Sequence, residues 1–274
     1  STKMEAVKNQ PVTGDYAGDL KQIAEAVVSA RTLVDQALAH IKKVSSTEKG
    51  LSPALLDEQQ LACYETSFCV ADLSATEALL NYTQQVLERD ELSGWVACQF
   101  GSEALKAVAG RLLARPADYG LTMASICASF EAFDNTGIAG HYLSAKMMAA
   151  LGRQLIDREG DFLPSNLDSE KELIRDTFRR FATEVVMPLA EDIHRQDIDI
   201  PESILQPLRE MGCFGISIPE RFDGLQPDAG DDSLYMILVT EELSRGSLGA
   251  AGSLITRPEI LARALMKGGT EDYA

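Results

Sequence analysis

Residues 208–225 read LREMGCFGISIPERFDGL, and the glycines and the proline in this segment interrupt a helical pattern that continues on both sides. Because Gly and Pro enforce backbone shape, we interpret Ile218-Pro219-Glu220 as a structural turn rather than a binding site. Upstream, Pro201 begins a short helix. Downstream, Asp232–Leu243 is predicted to form the next one. The turn therefore connects helices, which is typical of an all-α fold.

Two further helices bracket this region. One begins at Asp168, which can cap it, and Met187-Pro188 breaks or kinks its far end. Its apolar stripe consists of Leu173, Ile174, Phe178, Phe181, Val185 and Val186. The other helix covers Leu248–Met266, and the glycines that follow it provide a stop. Strand signals are nearly absent along the chain.

The residues between Arg158 and Asp168 have a different character from their surroundings. Gly, Pro, Ser and Asn cluster here without periodicity, as in a linker. We therefore place a domain boundary at about residue 165. The predicted domains are residues 1–165, a helical extension, and residues 166–274.

The first predicted domain carries long amphipathic segments. Apolar residues of Asp19–Val44 recur near the i, i+3, i+4, i+7 spacing of a helix. A second segment runs from Ser52 to about Glu88, with apolar residues at Leu61, Tyr64, Phe68, Ala71, Ala75 and Leu79. Further helices are predicted over Ser93–Ala114, Met123–Phe133 and Ile138–Leu155. Long helices joined by short loops predict an antiparallel helical bundle.

The composition argues against several classes of protein. Hydrophobic residues make up 45% and charged residues 24% of the chain, which is typical of a globular protein. The formal net charge of −17 argues against nucleic-acid binding, which Lys and Arg drive. No apolar run reaches the roughly 18 residues of a membrane span. The first residues, Ser1–Glu5, lack the apolar stretch of a secretory signal, so we expect a cytoplasmic protein.

Isolated reactive side chains indicate no metal or catalytic site. The five cysteines form no C-x-x-C pair, and we expect buried thiols in a reducing compartment at Cys63, Cys69, Cys98, Cys127 and Cys213. The three histidines are not at metal-ligand spacing. Glu241 and Glu242 are adjacent, so on a helix they point in different directions. This disfavours a general-base pair, but one of them can be a buried carboxylate that links helices.

Three stretches of the second domain resemble the N-terminal all-α domain of acyl-CoA dehydrogenases. Residues 174–190 look like that family's opening helix, and residues 208–225 are similar to its LGxxGxxIPExxGGxG turn. Residues 241–249, EELSRGSLG, look like the motif that precedes a helix in that family. The long extension and residues 251–260, AGSLITRPEI, are also similar to the subgroup of methylsuccinyl-CoA dehydrogenases.

The resemblance implies flavin chemistry that these residues alone do not complete. In the family a Glu carboxylate removes an α-proton from an acyl-CoA while FAD takes a β-hydride. In relatives the base and the flavin site belong to a later β-barrel and C-terminal bundle. This chain departs from the family pattern at about Asp272 and stops before either. We therefore assign no catalytic and no FAD-binding residue, and we expect FAD only in the complete enzyme.

The resemblance also implies that this chain forms the wall of the acyl pocket. The helix after the Glu-Glu-Leu motif lines the acyl tunnel in relatives, and here the substrate-binding candidates are Gly252, Ser253, Thr256 and Arg257. A guanidinium fork matches a carboxylate, so Arg257 could pair with a second carboxylate on the substrate. The alternative is a solvent-facing arginine that pairs with Glu259 or with nothing.

Two functions remain open. In the first, the chain is the N-terminal portion of an FAD-dependent acyl-CoA dehydrogenase that passes electrons to an electron-transfer flavoprotein. Its substrate is then a short or branched acyl-CoA, with methylsuccinyl-CoA as a candidate, and its product the 2,3-enoyl-CoA. In the second, the chain is a catalytically inactive helical interaction module derived from that family. Because these helices pack on other domains in relatives, we expect exposed apolar surface and self-association or a partner chain.

Overall fold

A computed structural model describes residues 16–159, 163–228 and 233–270, and the chain divides into two compact units, residues 1–166 and 167–274. The described residues are mostly helical, which confirms the all-α prediction. Strands among them are limited to the antiparallel pair Ser46–Thr47 (β1) and Gly50–Leu51 (β2). The predictions for the first five residues, for residue 232, for part of the linker and for the chain end from residue 271 lie outside the described residues.

The first unit is a set of helices with a short 3-10 turn, Pro116–Tyr119, between the fourth and the fifth. Within its described residues the helices are α1 Tyr16–Val44, α2 Pro53–Glu58, α3 Gln60–Val86, α4 Leu92–Ala114, α5 Met123–Asn135, α6 Ile138–Tyr142 and α7 Ala145–Asp157. Helix α1 packs against α3, α4 and α5. Its buried side chains recur at helical spacing, as predicted, and Val28 is an exception that is 68% exposed.

Two predicted helices of this unit are each divided in the structure. The segment predicted from Ser52 to about Glu88 forms two helices, α2 and α3, because the helix is interrupted at Gln59. The segment predicted over Ile138–Leu155 forms α6 and α7. Here Ser144 leaves the helical conformation and caps α7, because its side chain accepts a hydrogen bond from the Met147 amide. The hydrophobic periodicity therefore did not predict that Ser144, in the middle of an apolar run, ends one helix and caps the next.

Helix α3 buries a different face from the one that its largest apolar residues mark. Leu61, Tyr64 and Phe68 are 53%, 60% and 40% exposed. The buried face includes two threonines whose hydroxyls bond back to the helix, Thr66 to the Ala62 carbonyl at 2.7 Å and Thr76 to the Asp72 carbonyl at 2.7 Å. Each of these two hydroxyls is satisfied within its own helix, so burying it costs little, whereas the hydroxyl of Thr83 on the same face is buried without a partner among the described residues.

The second unit is a separate helical assembly with two π turns. Its helices, among the described residues, are α8 Ser169–Phe181, α9 Met187–Gln196, α10 Glu202–Glu210, α11 Ser233–Ser247 and α12 Ser253–Gly268. The Asp168 side chain caps α8, as predicted, by accepting a hydrogen bond from the Lys171 amide at 2.9 Å. The π turns Ala182–Val186 and Leu248–Gly252 connect α8 to α9 and α11 to α12. The first widens a helix that continues without interruption, whereas the second follows Ser247, whose extended backbone interrupts the helix.

The segment between α10 and α11 is a compact turn held by its own backbone. Residues Pro219 and Gln226 form a parallel bridge, and the Leu225 amide donates to the Gly215 carbonyl at 2.9 Å. A Cβ on Gly224 would lie 1.8 Å from the carbonyl oxygen of Ile218, so only glycine fits. The interpretation of this segment as a structural turn is confirmed.

Candidate functional site

The predicted substrate residues lie where α12 begins. Ser253, Thr256 and Arg257 have the i, i+3, i+4 spacing of one helix face, and all three are exposed. Gly252 is buried at the end of the preceding π turn. The Ser253 hydroxyl donates to the Gly249 carbonyl at 3.0 Å, so it is already bonded to the preceding π turn. The structure thus places three of the four candidates on one face and the fourth in a packing interface.

Gly252 is at a close approach between α12 and α11. A Cβ at this position would lie 2.2 Å from the Ser244 hydroxyl oxygen and 3.1 Å from the Ser244 Cα. A second close approach lies nearby, where a Cβ on Gly246 would be 3.0 Å from the Ala182 Cβ. Both glycines therefore let helical segments pack more tightly than larger residues would allow.

Arg257 has no hydrogen-bond or ion-pair partner among the described residues. The acid considered as its alternative partner, Glu259, instead accepts a hydrogen bond from the Nε of Arg263 at 2.8 Å. One turn further along, Ile260 and Leu261 are 64% and 60% exposed. Within the described part of the chain, Arg257 is therefore an unpaired cation beside two exposed apolar residues.

A buried carboxylate on α11, the helix that precedes α12 in the sequence, joins α8 to α11. Glu242 is 2% exposed and accepts hydrogen bonds from Arg179, at 2.9 and 3.1 Å, and from the Nε of Arg245, at 2.9 Å. The expectation that one acid of the adjacent pair links helices is confirmed, and Glu241 is exposed. We refer to Glu242, Arg179 and Arg245 as the carboxylate clamp.

The two arginines of the clamp were not identified from the sequence. Arg245 follows Glu242 by three residues, a spacing that signals a helical ion pair. Arg179, in contrast, is 63 residues away, so no local pattern could reveal it. Arg245 also reaches back to α8, because its second nitrogen donates to the Arg179 carbonyl at 3.2 Å and to the Thr183 hydroxyl at 2.9 Å.

The clamp keeps its carboxylate ionised. Burial by itself raises the pKa of Glu242, but hydrogen bonds from Arg179 and Arg245 outweigh burial, and the pKa lies below its ordinary value. A carboxylate held in this way is a poor general base, because a base near neutral pH needs a raised pKa. The chemistry of the clamp therefore indicates a structural role and not an acid–base role.

Other features of the chain offer less chemistry. An open cavity of about 590 Å³ lies at the far end of α12, and Lys267 on its wall is in the last helical turn, where a cation is favourable. Within the described residues no group of His, Cys, Asp and Glu could hold a metal ion. No helix in that part of the chain is long and apolar enough to cross a membrane.

The cysteines differ from one another in exposure. Cys69, Cys98 and Cys213 are buried, and burial raises the pKa of the Cys98 thiol to about 12. Cys63 is half-buried. The expectation of a buried thiol is wrong for Cys127, which lies on the outer side of α5 beside the buried Ile126.

Comparison with known proteins identifies the family of the second unit. The family model for "Acyl-CoA dehydrogenase, N-terminal domain" matches residues 168–273. The (2S)-methylsuccinyl-CoA dehydrogenase of Cereibacter sphaeroides is 33% identical over 274 residues, which cover 96% of this chain and 47% of that protein. The 3-(aryl)acrylate reductase of Clostridium sporogenes is 33% identical over 92 residues, 34% of this chain and 23% of that protein. The glutaryl-CoA dehydrogenase of Desulfococcus multivorans is 33% identical over 82 residues, 30% of this chain and 21% of that protein. The chain thus spans about half the length of the first of these relatives and less of the others.

Proposed function

Since residues 168–273 are an N-terminal domain of the acyl-CoA dehydrogenase family, we propose that the chain is the N-terminal part of a cytoplasmic, FAD-dependent acyl-CoA dehydrogenase. Its proposed substrate is a short, branched acyl-CoA with a second carboxylate, and methylsuccinyl-CoA is the leading candidate. Similarity to a methylsuccinyl-CoA dehydrogenase over 96% of the chain, extension included, supports this choice. The name of another relative, glutaryl-CoA dehydrogenase, also describes an acyl-CoA whose acyl group ends in a free carboxylate.

The observation that carries the proposal is the exposed guanidinium of Arg257, for which the described residues provide no partner. On a helix it can reach positions three and four residues away, and these are Ser253, Leu254, Ile260 and Leu261. None of them is acidic, so α12 itself offers Arg257 no carboxylate. An acyl chain that ends in a carboxylate would place its apolar part against Ile260 and Leu261 and its carboxylate against the guanidinium of Arg257.

The chain's own part in the reaction is binding and orientation. In the complete enzyme, bound FAD would supply the hydride acceptor for oxidation of the acyl-CoA to the 2,3-enoyl-CoA, and an electron-transfer flavoprotein is the proposed electron acceptor. Among the described residues the strands are two residues long, and no glycine-rich loop of the dinucleotide-binding kind follows a strand. The residues assigned here, Ser253, Thr256 and Arg257, would contact the acyl end of the substrate, and Gly252 would support them from below.

One observation favours the alternative, a catalytically inactive interaction module. Leu61, Tyr64 and Phe68 form an exposed stripe on α3, and the Arg111 guanidinium lies 5.1 Å from the centre of the Phe68 ring. Aromatic residues and Arg are enriched in protein interfaces. In this function the chain self-associates or binds a partner through such a surface and takes up no acyl-CoA.

Titration of the chain with two acyl-CoAs separates the functions. We expect methylsuccinyl-CoA to bind more tightly than 2-methylbutyryl-CoA, which lacks the second carboxylate. Arg257→Met should reduce that preference by about 10- to 100-fold, the equivalent of hydrogen bonds to a charged group. Arg263→Met removes the same charge from the same helix and should leave the preference intact, since Arg263 is paired with Glu259.

A preference for methylsuccinyl-CoA that survives Arg257→Met would contradict the role assigned to Arg257. The enzyme proposal itself would be contradicted by the absence of any acyl-CoA binding, which would leave the interaction module. In that case, sedimentation should show self-association of the chain, and Phe68→Ser should dissociate the assembly, because the exposed ring of Phe68 (40% exposed on α3) would lie in the interface.

A further inference from the structure

We propose that Glu242 is a positioning residue, which fixes through Arg179 and Arg245 the direction in which α12 leaves α11 and so the direction of Arg257. The role of Arg257 in this inference rests on the proposed function. The orientation of α12 does not, and it can be measured by itself.

The first step of the argument is the carboxylate clamp itself. The side chains of Arg179 and Arg245 are 43% and 38% exposed, whereas Glu242 is 2% exposed. Each arginine could point elsewhere in solvent, but a buried carboxylate must be compensated, and both guanidinium groups are drawn to it. The buried carboxylate of Glu242 thus determines where the two partly exposed arginine side chains lie.

The second step leads from the clamp to the end of α11. Arg245 bonds the Arg179 carbonyl and the Thr183 hydroxyl, at 3.2 and 2.9 Å, where α8 changes into its π turn. Gly246, the next residue, packs on Ala182 in the same turn. The last turn of α11 is therefore anchored to α8 by polar bonds and by close packing.

The third step leads from α11 to α12. The π turn between them contains only small residues after Leu248, namely glycine and alanine. Ala250 and Ala251 are buried in the same core as Ile255 of α12, so this packing contributes to the direction of α12 together with the contacts at the two ends of the turn. At one end Ser247 accepts a hydrogen bond from the Ala250 amide at 3.1 Å, and at the other Gly252 packs on Ser244. Ser247 and Ser244, which make these two contacts, both belong to the last turn of α11, the part that the clamp holds.

A distance measurement tests the orientation directly. Spin labels would be attached at Arg180→Cys on α8 and Ala264→Cys on α12, with Cys63→Ser and Cys127→Ser removing the other accessible thiols. Double electron–electron resonance on the chain should give one narrow distance distribution.

We expect Arg245→Met, which removes the bonds to Glu242, Arg179 and Thr183, to broaden or shift that distribution. Glu242→Gln keeps the side-chain volume and should give a smaller change of the same kind, which guards against loss of folding in the other variant. The control is Arg209→Met, because the Arg209–Glu202 pair at 2.7 Å is exposed and remote from the clamp in sequence. An unchanged distribution in folded Arg245→Met would overturn the inference.

A second readout distinguishes positioning from general support. In the acyl-CoA titration, Arg245→Met should lower the preference for methylsuccinyl-CoA about tenfold, equivalent to one charge-assisted hydrogen bond, and leave the affinity for 2-methylbutyryl-CoA unchanged. A purely structural role would weaken both ligands equally and would refute positioning. If neither ligand binds, the proposed function fails, and the distance measurement alone decides the inference. If the preference is present and Arg245→Met leaves it intact, the inference fails and the proposed function stands.

Discussion

Replacing Gly252 by alanine adds one methyl group to the contact between α12 and α11. The backbone of Gly252 is right-handed helical, with φ −59° and ψ −37°, so alanine can adopt it without strain. The new Cβ would lie 2.2 Å from the Ser244 hydroxyl oxygen and 3.1 Å from the Ser244 Cα. The hydroxyl can rotate away, whereas the Cα belongs to the backbone of α11 and can move only with the helix.

The size of the effect follows from two opposing contributions. Alanine is favoured over glycine in a helix by about 1 kcal/mol. Adding a methyl group to a tightly packed contact costs about 1–3 kcal/mol. Gly249 in the same turn isolates the first contribution, since a Cβ there would meet no atom within 4 Å. Gly252→Ala should therefore be less stable than Gly249→Ala by about 1–3 kcal/mol, because the helix preference cancels between the two variants.

Urea unfolding followed by two signals measures this difference. The chain has a single tryptophan, Trp95, which is 4% exposed in the first unit, so its fluorescence reports that unit. Far-UV circular dichroism reports the helices of both units. The fluorescence transition should be the same in both variants, and only the remaining circular dichroism transition should shift.

A companion substitution sharpens the test. Ser244→Ala removes the oxygen at the shortest distance, so the double variant Ser244→Ala with Gly252→Ala should recover part of the loss. The reasoning would be refuted if Gly252→Ala were as stable as Gly249→Ala. In that case α12 does not pack tightly on α11, and the positioning inference loses one of its two anchors.

Three further predictions concern other parts of the chain. A thiol reagent should modify Cys127 in the folded protein and leave Cys98 unmodified until unfolding, since Cys127 is exposed and burial raises the pKa of Cys98 to about 12; mass spectrometry of the labelled peptides checks this. Leu73→Ala should cost about 2–5 kcal/mol of unfolding free energy in urea, because Leu73 is fully buried, whereas Leu61→Ala on the exposed face of α3 should change it by less than about 0.5 kcal/mol. The pKa of Glu242 is lower in the folded than in the unfolded chain, so its contribution to stability is present above the unfolded pKa of about 4.3 and is lost as pH falls through the folded value. The difference in unfolding free energy between the unmodified chain and Glu242→Gln should therefore shrink at acid pH, and a constant difference would contradict this.

The helical elements could largely be predicted, because their signals are local. The cap at Asp168 and the turn around Pro219 follow from the chemistry of single residues and their neighbours. The divided segments show where such signals compete. Ser144 lies in an apolar run, and the same side chain can continue a helix or cap a new one. Packing decides between these outcomes, and the periodicity of the run does not.

The buried face of α3 could not be predicted from hydrophobicity alone. Leu61, Tyr64 and Phe68 mark a stripe that remains exposed, while Thr66 and Thr76 turn inward. Each threonine satisfies its hydroxyl on its own backbone, so the cost that normally keeps a polar group outside is absent. The choice of face is then decided by shape against neighbouring helices, which a single sequence does not contain.

The candidate site divides in the same way. Helical spacing alone places Ser253, Thr256 and Arg257 on one face. The partner of Glu242 on α8, Arg179, comes from 63 residues away and required the folded structure. Sequence reasoning thus identified a candidate binding face but not the carboxylate clamp that we propose to orient it.

The two proposed functions make different demands on the face around Arg257. A protein partner would have to cover the exposed Ile260 and Leu261 as well as the cation, because apolar residues that stay in contact with water contribute no binding free energy. A small carboxylated substrate needs only the guanidinium and the residues one turn from it, but it needs them in one fixed direction, since an Arg–carboxylate pair is directional. The ion pairs that fix α11, with a carboxylate 2% exposed between two arginines, supply rigidity that a broad apolar interface would not require. This difference is the structural reason to favour recognition of a small anionic ligand.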